Sequence, residues 1–239
     1  PANQYVAELV KSGKLGKIMR VHATYDQDML LDPSIPIAWR HINKLAGCGA
    51  LGDLGSHLLS ISQFIMGDIT KVNAVATTVF PKRPKSAGST EMVDVENEDI
   101  MTFMAEYANG AIGQIACSRV VTGRKNYLTY EIQGTKGSVR YDLERMGEVQ
   151  VYFQSDNERD RGFRTVLLNP LMKGYSAFQP AGGISIAYND MKILEVHALF
   201  DAITNGADYV TDFEFGYKID RTVAAVIESS KTREWVDVK

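Results

Sequence analysis

The stretch from residue 72 to residue 168 constrains the fold most. It divides into short runs of β-compatible residues at 72–80, 99–107, 111–121, 127–133, 138–142, 149–153 and 163–168, with turn residues between them. Asn109-Gly110 is a pair suited to a two-residue hairpin, because both central positions of such a turn take positive φ. Gly134-Thr135-Lys136-Gly137 makes a second turn, and 81–97 reads as a polar loop. Strands joined this closely pair antiparallel, so the section reads as a largely antiparallel meander. Helical spacing flanks it on both sides. Val6, Leu9 and Val10 mark a helix over 3–11 that stops near Gly13, and a strand follows at 17–25. Leu54, Leu58, Ile61 and Ile65 form the apolar stripe of a helix at about 53–66. Two more helices fall at about 190–205 and 214–230, and 235–238 reads as a last strand. Without a linker, repeat or low-complexity tract, the expectation is one α+β domain over 1–239.

Composition narrows the function classes. Of 239 residues, 45% are hydrophobic and 23% charged, as in an ordinary globular protein with a sizeable core. A net charge of −3 with scattered signs gives no electrostatic basis for holding nucleic acid or anionic lipid. The longest apolar stretches, such as 72–80, are far shorter than the ~20 residues of a membrane span. Cys48 and Cys117 are too few for a disulfide framework and lack zinc-site spacing, so a reducing, cytoplasmic compartment is expected. The opening Pro1-Ala2-Asn3 runs straight into a helix with no initiator Met, which reads as a piece of something longer.

Gly47, Gly49 and Gly52 match the G-x-G-x-x-G pattern of dinucleotide sites, but the ten residues before them do not read as the buried strand that the motif requires. The plainer reading is that these glycines let another group approach the backbone closely. Asp53 and His57 stand four apart at the front of the predicted helix and so share a face. A carboxylate beside an imidazole can orient it and raise its proton affinity, which suits a general base near neutral pH. Two other readings fit the same spacing: Asp53 as a helix cap with His57 a packed histidine, or a metal site completed by His22 or His41.

The run Ala46-Gly47-Cys48-Gly49-Ala50-Leu51-Gly52-Asp53-Leu54-Gly55-Ser56-His57 closely resembles the A-G-G-G-x-L-x-D-x-G-x-H signature of the Gfo/Idh/MocA oxidoreductases, a family that includes glucose-fructose oxidoreductase and inositol dehydrogenase. Ser12-Gly13-Lys14-Leu15-Gly16-Lys17-Ile18, Glu98-Asp99 with Asn109-Gly110-Ala111, and Gly134-Thr135-Lys136-Gly137-Ser138 resemble further family segments in the same order. Cys48 departs from the signature by replacing a glycine.

The resemblance implies a C-terminal substrate domain with an open, mostly antiparallel sheet, helices on one face and oligomers built through the sheet as homodimers or homotetramers. It also implies that the N-terminal Rossmann domain lies outside this chain, with NAD or NADP bound only by the full-length protein and none expected on this chain. By position, His57 would take the proton of a sugar or polyol hydroxyl while hydride leaves for nicotinamide, and Asp53 would orient His57 and bind a hydroxyl. No resident metal is implied. Trp39 and Arg40 are candidate sugar contacts, alternatively a packing Trp and a solvated Arg. Arg119 is a candidate for the cofactor side of the cleft, alternatively a partner of an acid. Tyr175, with Tyr188 and Asn189, lies in an irregular stretch where ligand loops occur, and Lys82 and Arg83 read as loop solvation. The rival reading is a non-catalytic oligomerisation or ligand-sensing module; a metal-assisted isomerase or hydrolase is a third.

Overall fold

The computed structural model describes residues 1–239. Helix α1 (Ala2–Lys11) leads into β1 (Ile18–Asp26) through Gly13 and Gly16, both at positive φ. A long connection carries a 3-10 turn at Trp39–His41 and the single turn α2 (Asn43–Ala46). A π-helical turn, Leu51–Gly55, then opens α3 (Ser56–Met66). Strands β2 (Ile69–Thr77), β3 (Lys82–Pro84), β4 (Met92–Asp94), β5 (Ile100–Tyr107) and β6 (Ile112–Ser118) follow. Next come β7 (Tyr127–Gly134), β8 (Gly137–Asp142), β9 (Glu148–Phe153) and β10 (Arg164–Leu167). Helices α4 (Tyr188–Asn205) and α5 (Phe213–Thr232) and the two-residue β11 (Val236–Asp237) close the chain.

Nine strands form one sheet in the order β10-β9-β8-β7-β1-β6-β5-β2-β11, and β3 with β4 makes a separate hairpin. The expected α+β architecture is present: neighbours pair antiparallel except β1 and β6, which run parallel. Strict alternation builds the two faces. On β5, Met101, Phe103, Ala105 and Tyr107 are buried while Thr102, Met104 and Glu106 are exposed. The buried side meets the apolar stripes of α1 (Val6, Leu9), α3 (Leu58, Leu59, Ile65) and α5 (Ile219, Ala225, Val226), so these helices pack on one face. No helix is long and apolar enough to cross a membrane.

The strand expected at 111–121 stops at Ser118, and three further differences from the sequence expectation have a visible cause or consequence. The strand expected at 72–80 is Ile69–Thr77, because the Asp99 carboxylate takes the amides of Val79 and Phe80 and draws them out of the ladder. The loop at 81–97 holds the β3–β4 hairpin. The helix expected from 53 begins as a π turn, with the Ser56 amide bonded to the Leu51 carbonyl.

A buried hydroxyl closes the sheet edge. Beyond the short β11, the Ala74 amide has no strand partner and donates instead to Ser229 Oγ at 2.9 Å, while Ser229 donates to the Glu234 carbonyl at 2.6 Å. Ser229→Ala leaves the buried Ala74 amide without a partner, and chemical denaturation of this chain should register a loss of roughly 1–3 kcal/mol.

Candidate active site

The start of α3 lies over the C-terminal end of β1 and over β5 and β6. Gly55 permits this approach, since a Cβ there would fall 2.9 Å from Leu51 Cδ1 and 3.2 Å from Cys117 Sγ. Asp53 sits in the π turn and His57 in the first turn of α3. Asp53 Oδ2 accepts a hydrogen bond from Arg40 Nε at 3.3 Å, and the Arg40 guanidinium lies 4.5 Å from the centre of the exposed Trp39 ring. Trp39, Arg40 and Asp53 therefore form one continuous wall: an aromatic face, a hydrogen-bond fork and a carboxylate.

His57 is held differently from the expectation. No hydrogen bond joins it to Asp53; its ring instead meets Tyr25 edge-on, with centroids 5.9 Å apart and planes at 67°. Tyr25 is anchored in turn, its hydroxyl donating to Asn126 Oδ1 at 2.6 Å while Gln27 Nε2 donates to both partners. The imidazole keeps contact with solvent. Even so, the packing around it lowers its pKa below the ordinary histidine value, and the Lys192 ammonium adds to that, outweighing the Asp53 charge that pulls the other way. The net result is a neutral imidazole at neutral pH, able to accept a proton. Ser56, His57 and Ser60 line a cleft of about 550 Å³ whose opposite wall is the start of α5 with Asp212, Phe213 and Tyr217.

The glycine run is engaged internally. Both oxygens of the Glu98 carboxylate accept from the Gly49 amide at 2.9 Å, and Oε1 also accepts from the Leu51 amide at 2.9 Å. The amides that a pyrophosphate would use at this turn are thus already filled. A Cβ on Gly49 would come 1.9 Å from the Glu98 carbonyl oxygen, so only glycine fits there. Cys48 Sγ lies 2.7 Å from where a Gly52 Cβ would stand, and burial beside Glu98 pushes its pKa up to about 11, leaving an unreactive thiol.

Other sequence candidates are reassigned. Arg119, expected on the cofactor side, is fully buried: it donates to the Glu98 carbonyl at 3.0 Å and lies 3.8 Å from the Asp99 carboxylate, so its second reading, partner of an acid, holds. Tyr175, expected to touch substrate, is also fully buried, its hydroxyl within hydrogen-bond distance of the Ala181 and Ile184 carbonyls, where it folds its own loop. Lys82 is exposed, but Arg83 is not solvated; it is buried and donates to the carbonyls of Leu30 and Asp32. His22 projects from the open side of β1, while His41 is buried with Nδ1 accepting from the Ala38 amide. Neither joins His57, and no group of three or more His, Cys, Asp or Glu is placed to hold a metal ion. Sequence reasoning missed Tyr25 and the task of Glu98. Tyr25 carried no local signal, and Glu98 appeared only within a resembling dipeptide.

Comparison with known proteins shows the family and the fold. Residues 3–140 match the family described as GFO/IDH/MocA C-terminal domain. Levoglucosan dehydrogenase of Pseudarthrobacter phenanthrenivorans is 37% identical over 251 residues, covering all of this chain and 64% of that protein. A solved levoglucosan dehydrogenase in complex with NADH and levoglucosan superposes with a TM-score of 0.93 at 37% identity, covering 99% of this chain and 62% of the other. An oxidoreductase domain protein from Kribbella flavida does so with a TM-score of 0.95 at 35% identity, covering 100% and 64%. The chain belongs to the Gfo/Idh/MocA C-terminal domain family, and the relatives named here are a levoglucosan dehydrogenase and an oxidoreductase domain protein. It spans less than two thirds of the length of these relatives.

The site makes a titration prediction on this chain alone. The folded protein resists protonating His57, so its NMR titration midpoint should lie below ~6.5, the value of an unperturbed histidine. A midpoint above that value would mean that Asp53 dominates its surroundings.

Proposed function

We propose that residues 1–239 are the substrate-binding part of an NAD- or NADP-dependent oxidoreductase that oxidises a hydroxyl of a sugar or polyol by hydride transfer to nicotinamide. The observation that carries this reading is an exposed imidazole, His57, that lines a cleft and stands four residues from Asp53, whose carboxylate is tied to Arg40 and through it to the Trp39 face. In this reading His57 accepts the proton of the substrate hydroxyl. Asp53 and Arg40 bind neighbouring hydroxyls, and the Trp39 ring covers a C–H face of the sugar. Asp53 supports His57 through its charge, since its carboxylate is held by Arg40. The nicotinamide, when bound, accepts the hydride.

The nucleotide is assigned to the part of the full-length protein outside this chain, because the relatives are longer and the one glycine turn that resembles a phosphate cradle is occupied by Glu98. Residues 1–239 alone are therefore expected to be inactive. Helix α4 fits a second body covering the site. None of its residues is buried, Ile193, Val196, Phe200 and Ile203 stand exposed, and Lys192 on the same helix is near enough for its charge to act on His57. The alternative, a non-catalytic ligand-sensing or oligomerisation module of the same fold, has less support, because a scaffold gains nothing from an exposed base beside open space. Free thiols at Cys48 and Cys117 fit a cytoplasmic protein.

In the full-length enzyme, His57→Ala should lower kcat by about 10²-fold or more, the typical worth of a general base. Turnover within a few-fold of wild type would refute the assignment. Because the base must be neutral to act, kcat/KM should rise with pH through a midpoint below ~6.5 and then level off. Screening sugars and polyols with both nicotinamide cofactors by absorbance identifies the substrate.

The open sheet face, where Val75, Met104 and Ile112 stand exposed, is the proposed contact with a second copy, giving a homodimer or homotetramer. Sedimentation velocity should show that assembly, and Met104→Arg should shift it to monomer. A monomeric wild type would remove the proposal.

A further inference from the structure

The two halves of the site come from separate stretches, 39–40 and 53–57, and the 3.3 Å Arg40–Asp53 hydrogen bond between partly exposed side chains does not by itself fix one backbone against the other. A single short run does. Glu96 Oε2 accepts from the Asn43 amide at 2.6 Å, and Asn97 Nδ2 donates to the Arg40 carbonyl at 2.9 Å, which together fix the turn that presents Trp39 and Arg40. One residue on, Glu98 grips the Gly49 and Leu51 amides with its carboxylate and the Ala50 amide with its carbonyl, at 3.0 Å. Asp99 holds the run to the sheet through the Val79 and Phe80 amides and the nearby Arg119. Neighbouring residues of one extended segment thus take opposite sides of the site.

We infer that Glu98 is a positioning residue for the Asp53–His57 pair: its carboxylate seats the first turn of the helix that carries them at a fixed offset from Trp39 and Arg40. The bond type suits the task. A carboxylate accepting backbone N–H groups at a helix start makes short, charge-assisted hydrogen bonds and is favoured by the positive end of the helix dipole. The missing Cβ at Gly49 lets the turn close onto the Glu98 carbonyl, which leaves no slack in the other direction. Asp53 follows Leu51 by two residues and His57 by six, so a shift of the anchored amides moves both groups relative to the substrate wall. A misplacement near 1 Å is enough to cost about 10²-fold in rate.

The kinetic arm rests on His57 being the base, and the test separates the two ideas. In the full-length enzyme, Glu98→Asp keeps the charge but withdraws the carboxylate by one methylene, whereas Glu98→Gln keeps one acceptor oxygen at full reach. The expected order is wild type, then Glu98→Gln with an intermediate loss, then Glu98→Asp with a kcat about 10²-fold down and a smaller rise in KM, because Asp53 moves as well. The His57 NMR titration, recorded on residues 1–239 as well, should move with the same order. Glu98→Asp matching wild type in kcat, Glu98→Gln falling below Glu98→Asp, or a kcat loss with an unmoved titration would each overturn the inference. If Glu98→Asp fails to fold, Glu98→Gln decides: values equal to wild type in both measurements overturn it. Full turnover in His57→Ala would sink the base assignment while leaving the titration arm able to test Glu98.

Discussion

The architecture around the site depends on one carboxylate bonded to backbone. Glu98 reaches from the segment before β5 to the amides of Gly49 and Leu51, which stand at the start of a helix and have no partners within it. Unsatisfied, they would carry the desolvation cost of buried donors. Satisfied from outside, they tie the glycine run to the sheet and make the helix begin where Asp53 and His57 stand over the end of β1. The π turn at Leu51–Gly55 and the missing side chains at Gly49, Gly52 and Gly55 are the local conditions under which the backbone comes that close.

Electrostatics divide the labour between Asp53 and His57. A carboxylate four residues from an imidazole is expected to raise its proton affinity, yet packing against Tyr25 and the ammonium of Lys192 prevail. Asp53 spends its lone pairs on Arg40 instead. The outcome is a neutral acceptor beside a separate polar wall, an arrangement in which proton abstraction and hydroxyl recognition use different groups. Beneath it lies a buried set of Arg83, Asp99, Arg119 and His41. These hold loop carbonyls and amides and take no place in the cleft. Their bonds shape the long connection after β1, while one atom on each of the four, His41 Nε2, Arg83 Nε, Asp99 Oδ1 and Arg119 Nε, is buried without a hydrogen-bond partner.

The legible parts of the sequence were those with a local signature. Runs of β-compatible residues between turn residues marked the strands, and Asn109-Gly110 marked the β5–β6 hairpin, although its loop spans 108–111 with only Gly110 at positive φ and is not the two-residue turn expected. The Asp53–His57 spacing was visible because one helix carries both. Arg119 and Tyr175 misled because an Arg at a strand end and a Tyr in a glycine-rich loop look the same whether they face a ligand or their own backbone. Only burial separates these cases, and burial depends on neighbours distant in the chain. Arg83 misled in the same way, a charge in a polar loop that turned out to brace the backbone of one distant segment, 30–35.

Strand content, helix faces, the family and the two residues offered for chemistry were all written in the order of amino acids, since each rests on contacts within a few positions or on a contiguous motif. Tertiary structure alone decided that β1 enters between β6 and β7, that Tyr25 rather than Asp53 touches the imidazole, and that Glu98 joins the two halves of the site. The reason is range. A turn or a helical stripe is settled by neighbours in sequence, while the place of a side chain in three dimensions, and with it the proton affinity of His57, is set by groups that folding brings from far along the chain.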